Sequence, residues 1–308
     1  MKVLVTGANG FVGNALVRFL HQADCDVNAV IRQGNLIGKA NAAFTKEIRK
    51  DTEWSDALNG VSIVIHTAAR AHDMDDNVRE SLQPFREVNT LGTLNLAEQA
   101  AKKGVKRFVF ISTIGVNGAV TYGQPFSEED VPQPHNDYAA SKWEAEQGLM
   151  RIAAETGMAV TIIRPPLIYG PGAPGNFRAL AKWVRKGVPL PFAKINNSRS
   201  FLALDNLIDF IVLSITHPKA INETFLLADS RDVSTSELIT SIADAYNETY
   251  RLFYFPRKAA YYLAKLARRE QMYKQLWGSL EIDLTKARTL LGWQPLVTMD
   301  EQLNKMVE

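Results

Sequence analysis

The chain has 308 residues, enough for one large domain or two ordinary ones around a sizeable core. With 46% hydrophobic and 22% charged residues it is neither disordered, fibrous nor membrane-spanning, and a formal charge of +2 supplies no field for a nucleic-acid partner. The single cysteine, Cys25, can form neither an internal disulfide nor a cysteine-rich metal site, so a cytoplasmic protein without a metal is expected.

In chain order, Lys2 to Thr6 predicts a first strand, and the apolar spacing of Gly13 to Gln22 a first helix. Val3-Leu4-Val5 is too short for the core of an export signal, and no stretch of about 18 apolar residues predicts a membrane segment. Further strands are expected at Val27 to Ile31, Val61 to His66, Arg107 to Ser112 and Val160 to Ile163. Between them lie helices from Pro84 to Lys103, stopped by Gly104, and from Tyr138 to Thr156, stopped by Gly157. Nearly continuous apolar runs such as Phe108 to Ile111 suit parallel strands covered on both faces, so the class is α/β, a doubly wound parallel sheet of Rossmann type.

Pro165, Pro166, Pro171, Gly172, Pro174 and Gly175 mark a domain border. The expected division is a dinucleotide-binding unit, 1–170, and a smaller mixed α/β unit, 171–308, which binds the substrate; segments near 201–215 are candidates to return to the first unit. The smaller unit is expected to hold helices over Phe177 to Arg185 and Ser234 to Tyr246, the latter opened by Ser234 or Thr235 with Glu237 completing a capping box.

Gly7, Gly10 and Gly13 join the first strand to the first helix. Glycines there let the backbone approach a pyrophosphate while the helix N-terminus favours its charge, although a plain α/β turn can carry the same residues. Tyr138 and Lys142, four residues apart, share one helix face, as ordinary helical pairs also do; here a nearby ammonium and an oxidised nicotinamide would favour phenolate and equip the tyrosine for proton transfer. Lys142 can also hold a ribose hydroxyl. Thr113, just past a parallel strand's carboxyl end, is placed to hydrogen-bond a substrate oxygen or simply to end the strand. After the second strand stands Arg32 where a carboxylate would bind the adenosine ribose of NAD, which favours NADP over NAD; stacking on adenine is the alternative. Glu47 and Ile48 are candidates to meet the adenine.

Taken in order, the chain resembles the extended short-chain dehydrogenase/reductase family, the nucleotide-sugar epimerases, dehydratases and reductases. The marks are Thr6 to Gly13, His66-Thr67-Ala68-Ala69, Val88 to Thr93, Tyr138 with Lys142, Arg164 to Pro171 and Leu291-Gly292-Trp293-Gln294-Pro295. The resemblance implies Thr113, Tyr138 and Lys142 as the catalytic set. It also implies a cofactor-binding set: Asn9, Phe11 and Val12 with the three loop glycines, Ala68, Ala69, Asn89 and Pro165 along the cofactor, and Tyr138 and Lys142 touching it too. Gly175-Asn176-Phe177, Leu190-Pro191-Phe192 and Arg199-Ser200-Phe201 resemble nucleotide-sugar segments. They imply Arg199 on a diphosphate, Asn176 on the diphosphate or sugar, and Phe192 beside a uracil, with Thr113 also touching substrate. The implied partner is a UDP-linked sugar, and the helices at 84–103 and 138–156 correspond to those that build a homodimer in relatives.

A sugar 4,6-dehydratase would carry an Asp-Glu pair after the threonine, whereas Ile114-Gly115 follow Thr113. That leaves an NAD(P)-dependent oxidoreductase acting at C4. Arg32 leans towards reduction, and the segments around Asn176, Phe192 and Arg199 resemble a subgroup that reduces UDP-2-acetamido-2,6-dideoxy-4-hexulose to UDP-N-acetylquinovosamine, or its 4-epimer, for surface-polysaccharide and lipopolysaccharide biosynthesis. The alternatives are a 4-epimerase of UDP-glucose or UDP-N-acetylglucosamine, and a non-catalytic dinucleotide sensor, which the retained Tyr138 disfavours. Lys258 to Arg269 combines four basic residues with Tyr261, Tyr262, Leu263 and Leu266; a helix face packed on its own domain is expected, with membrane-surface contact the alternative.

Overall fold

The computed structural model describes residues 1–35, 39–70 and 82–307. β1 (Lys2–Thr6) leads through the glycine turn into α1 (Phe11–Gln22), then to β2 (Asp26–Ile31), β3 (Ala42–Thr45) and β4 (Ile63–His66). α2 (Leu82–Phe85), a π-helical stretch (Arg86–Gly92) and α3 (Thr93–Lys102) lead to β5 (Arg107–Ile111), and α4 (Asp137–Thr156) leads to β6 (Ala159–Arg164). Then come β7 (Leu167–Tyr169), α5 (Gly175–Arg185), β8 (Phe201–Ala203), α6 (Leu204–Thr216), β9 (Glu223–Leu226) and α7 (Thr235–Ala245). The chain ends with α8 (Arg257–Leu266), α9 (Glu270–Trp277), α10 (Thr285–Leu291) and α11 (Met299–Asn304). Among the described residues no helix is long and apolar enough to cross a membrane.

Seven parallel strands form one sheet in the order β3-β2-β1-β4-β5-β6-β9, the expected doubly wound architecture. Alternate residues explain the two covered faces. Val3, Val5, Ile63, Ile65 and Val109 pack under α1 and α6, while Leu4, Val64, Phe108, Phe110 and Val160 pack under α3 and α4. Chain order reverses between β1 and β4, which opens a crevice at their carboxyl ends.

The five expected strands are present with ends shifted by one or two residues, and Ser234 and Glu237 form the expected capping box. β3, β7, β8 and β9 are additional. Each has only three or four residues, too short to stand out in the sequence, and each is fixed by pairing, as Ile163 opposite Phe225 fixes β9. β9 lies in the large sheet and α6 covers it, so the chain beyond residue 200 crosses back to the first half. A separate core, including Tyr169, Phe177, Phe201, Leu238 and Ile242, gathers β7, β8, α5 and α7.

His66, at the end of β4, is fully buried between two hydroxyls, Thr6 Oγ1 at 2.7 Å from Nδ1 and Thr93 Oγ1 at 3.0 Å from Nε2, and stacks on Phe110. Burial and then the charge of Lys142 push its pKa down to about 3, so the ring is neutral. The unfolded chain takes up this proton near pH 6.5 and the folded chain does not, so stability falls as pH drops from 6.5 towards 3, by at most about 1.4 kcal/mol per pH unit. His66→Asn, which keeps a donor and an acceptor but does not titrate, is expected to flatten this acid limb when urea midpoints are compared between pH 7 and 4. An unchanged limb would remove His66 as its source.

Candidate active site

The carboxyl ends of six neighbouring strands surround one cavity of about 910 Å³. Its walls are Gly7 and Asn9 to Gly13 after β1, Arg32 after β2, Lys46 to Arg49 after β3, Thr67 to Arg70 after β4, Ser112 and Thr113 after β5, and Pro165, Pro166 and Ile168 after β6. Tyr138 completes it from α4.

In the glycine turn each glycine answers to a different constraint. Gly7 has φ +68°, and a Cβ there would lie 2.9 Å from the Ala68 nitrogen; a Cβ on Gly13 would lie 2.1 Å from the Gly7 carbonyl oxygen. These two are fixed by the fold itself. Gly10 has ordinary φ, and its Cβ would meet only the Gly7 carbonyl, at 3.1 Å. It is the N-cap of α1 and no side chain caps that helix, so its first turn, Phe11 to Gly13 on the cavity wall, is left for an anionic group. That fits a dinucleotide pyrophosphate.

At the far end Arg32 is exposed, with Glu47 and Ile48 nearby on the same wall. Gly92 lets the π-helical stretch press on Ile48, where a Cβ would lie 2.7 Å from its Cγ2. Lys46 and Arg49 also line this end and were not foreseen, because they follow β3. Lys46 is held by Asp56 at 2.8 Å and Arg49 by Glu47 at 2.5 Å.

Ala68, Ala69 and Pro165 lie on the wall as expected. Asn89 does not: its Oδ1 accepts from the Arg70 N–H at 2.8 Å, and its Nδ2 donates to the Arg70 carbonyl at 3.1 Å and to Ser141 Oγ at 3.0 Å. It braces the wall loop against α4.

Asn136 caps α4, its Oδ1 accepting from the Ala139 N–H at 2.8 Å, which sets Tyr138, Lys142 and Glu146 along one face. Tyr138 is half-buried on the cavity wall, and burial pushes its phenol up to about 12. Thr113 shares the wall while its Oγ1 accepts from the Gly115 N–H at 3.1 Å. Lys142 departs from expectation. It is buried off the wall, with Nζ 3.9 Å from the centre of the Phe110 ring, and burial pushes its pKa down to about 7 while Glu146 acts to raise it. The ring face and the carboxylate attract the ammonium away from the cavity.

Glu146 is itself clamped. Arg164, at the end of β6, places Nη2 2.6 Å from Glu146 Oε2 and Nε 3.1 Å from Oε1, while Nη1 donates to Asn117 Oδ1 at 2.9 Å and Ser112 Oγ bonds the same carboxylate.

Of the expected substrate residues Thr113 lies on this wall, whereas Asn176, Phe192 and Arg199 lie elsewhere. Asn176 is exposed and bonds Gln275 Oε1 at 3.2 Å; Phe192 is buried, its ring centre 5.0 Å from that of Trp277. Arg199 donates from Nη1 to the Gly278 carbonyl at 2.9 Å, and burial pushes its guanidinium down to about 10. Phe192 and Arg199 thus contact Trp277 and Gly278, which line a second cavity, of about 660 Å³, together with Asn197, Arg257 and Tyr273.

Fold and site together define a dinucleotide-binding α/β enzyme of the short-chain dehydrogenase/reductase kind. The profile of the "NAD dependent epimerase/dehydratase family" matches residues 3–228, and the chain belongs to that family, within the extended short-chain dehydrogenases/reductases. A UDP-glucose 4-epimerase of Vibrio cholerae is 42% identical over 305 residues, 97% of this chain and 92% of its own. N-acetyl-alpha-D-glucosaminyl-diphospho-ditrans,octacis-undecaprenol 4-epimerase of Escherichia coli O157:H7 is 29% identical over 83% of this chain and 75% of its own. The crystal structure of a Thermotoga maritima UDP-glucose 4-epimerase with UDP-glucose aligns with a TM-score of 0.78 at 26% identity, covering 100% of this chain and 97% of that one.

The two kinds of glycine are separable by experiment. Gly10→Ala is expected to cost about 1 kcal/mol of stability or less while weakening NAD binding about tenfold or more, read by thermal melting and calorimetric titration. Gly13→Ala is expected to fail in both. Normal NAD binding by Gly10→Ala would detach this turn from the pyrophosphate.

Proposed function

We propose that the protein is a 4-epimerase of a UDP-linked hexose, UDP-glucose or UDP-N-acetylglucosamine, rather than the 4-keto-sugar reductase that Arg32 suggested. The observation that carries this reading is the near full-length likeness to the Vibrio cholerae UDP-glucose 4-epimerase, in a chain whose Tyr138 and Thr113 share a cavity with the glycine turn. The 1–170 unit is the cofactor half on this reading, and 171–308, without the segments returned to the sheet, the sugar-nucleotide half.

A bound nicotinamide dinucleotide supplies reversible hydride exchange at C4. The chain's own groups handle the proton. Tyr138 takes the C4 hydroxyl proton onto its phenolic oxygen as the keto sugar forms and returns it when hydride is restored to the opposite face; Thr113 Oγ1 steadies the substrate oxygen. With the phenol pushed up to about 12 by burial, positive charge must favour its ionised form, a role this reading gives to Lys142 together with the oxidised nicotinamide. Arg199 and Phe192 hold the diphosphate and uracil end indirectly, through Gly278 and Trp277. Homodimer formation through the helical stretches 84–103 and 138–156, where Leu91 is 39% exposed and Trp143 and Met150 are half-buried, belongs to the same proposal.

The deciding assay incubates the protein with NAD and either UDP-sugar and follows C4 configuration by NMR. Interconversion without net nicotinamide reduction is expected, and Tyr138→Phe is expected to lower turnover about 10²–10⁴-fold with NAD binding retained. Stoichiometric NADPH consumption on UDP-2-acetamido-2,6-dideoxy-4-hexulose, with no epimerisation, would establish the reductase reading instead.

That second reading rests on the adenosine end, where Arg32, Lys46 and Arg49 line the wall with Glu47, which pairs with Arg49, and leave NADP admissible. Arg32→Ala is expected to weaken NADP binding about five- to tenfold while leaving NAD within about twofold, because only the 2′-phosphate exploits a guanidinium fork. Equal losses for both cofactors would place Arg32 on the adenine.

A further inference from the structure

α8 and α9 form a hairpin joined to the second core through Leu276 and Trp277 at the end of α9; Ala260 is the one buried residue of α8, and α9 has none. Its packed side is an aromatic ladder. Tyr261 meets Tyr273 at 5.5 Å, Tyr273 stacks on Trp277 at 5.3 Å, and Arg257 Nε donates to the Tyr273 hydroxyl at 3.2 Å. A second stripe of α8 runs through Lys258, Tyr262, Lys265 and Leu266, at helical spacings that share one face. Tyr262 is 67% exposed, Leu263 56% and Leu266 84%, so the apolar part of this face is not packed on its own domain. Phe253 and Tyr254, leading into α8, and Met272 on α9 are exposed as well.

Positive charge is concentrated along the same hairpin, with Lys258 and Lys265 on this face and Arg257 and Lys274 on the side of the second cavity. Residues 257–277 carry Arg257, Lys258, Lys265, Arg268, Arg269 and Lys274 against one acid, Glu270, although the whole chain is only +2. A second copy meeting this face would bring like charges together. Tyrosine and leucine interleaved with lysine suit the edge of an anionic bilayer, where rings sit at headgroup level, aliphatic chains enter the acyl boundary and ammonium groups reach lipid phosphates.

We propose that the α8–α9 hairpin docks on an anionic lipid bilayer, with Tyr262, Leu263 and Leu266 in the interface and Lys258 and Lys265 on the headgroups. The same two helices wall the second cavity through Arg257, Tyr261, Tyr273 and Lys274, so docking brings that cavity next to the lipid surface.

The test is sedimentation of the full chain with phosphatidylcholine vesicles, with and without phosphatidylglycerol. Binding to anionic vesicles about tenfold or more above neutral ones is expected, weakened by salt. The double variants Lys258→Glu/Lys265→Glu and Tyr262→Ser/Leu266→Ser are each expected to lose about tenfold or more of that binding, while melting temperature and NAD titration stay at wild-type values. Absence of binding to anionic vesicles, binding that both double variants retain, or a concentration-dependent dimer abolished by Tyr262→Ser/Leu266→Ser in light scattering would each overturn the proposal. None of these readouts depends on which sugar is turned over.

Discussion

The buried ion pair of Glu146 with Arg164 sets the relation between α4, which carries Tyr138, and the sheet. Glu146 lies midway along α4, Arg164 ends β6 and Ser112 follows β5, so one carboxylate ties the helix to the ends of two neighbouring strands. Separating these charges from water is costly, and their mutual geometry, with Asn117 on the remaining guanidinium nitrogen, is what offsets that cost. A shift of α4 along its axis would break all of these bonds together. The register of Tyr138 relative to Thr113 is therefore held by a charged cluster two turns further along the helix, which adds directional bonds to the apolar packing of α4 on the sheet.

The same carboxylate reaches the chemistry electrostatically. Lys142 lies one turn after Tyr138 and one turn before Glu146, and is buried; burial works against its proton and Glu146 works for it. Neutral His66 keeps a further positive charge out of this region. In such a weakly screened interior a single positive charge near the phenol counts for much more than it would in water. On the proposed reading, the protein alone keeps Tyr138 protonated and needs the charge of a bound oxidised nicotinamide to make it a base.

How much of this is visible in the sequence follows the range of the interactions. The inner strands and their crossover helices are legible because each carries its own apolar run and helix stops. β3 is not, since Ala-Ala-Phe-Thr becomes a strand only beside β2, and with it Lys46 and Arg49 escape notice. Tyr138 and Thr113 are legible from local spacing and strand ends. The brace made by Asn89 is not, because its partners Arg70 and Ser141 lie 19 and 52 residues away and one of them is backbone. Lys142 is legible as a partner of Tyr138 but not as an ammonium over Phe110, a contact that only the folded sheet creates.

The separation of Arg199 and Phe192 from the Tyr138 cavity has a cause in the connections between the two halves. The loop beyond Thr113 is stitched to the C-terminal segment: the Thr121 N–H donates to the Ser279 carbonyl at 2.9 Å, and Phe126 and Glu281 bond through Phe126 N–H at 2.8 Å. The same segment is stitched to the second half, where the Ser200 N–H donates to the Leu280 carbonyl at 2.7 Å and Arg199 holds Gly278. Gly278 must be glycine for this, because a Cβ there would lie 2.5 Å from the Lys274 carbonyl oxygen and 2.7 Å from a Val120 methyl. Residues 278–281 are thus a common strap between the loop that follows Thr113 and the elements around Arg199. A displacement of that strap would reach both cavities at once, which gives the second half a mechanical hold on the loop after Thr113, although among the described residues none from 171–308 lines the Tyr138 cavity.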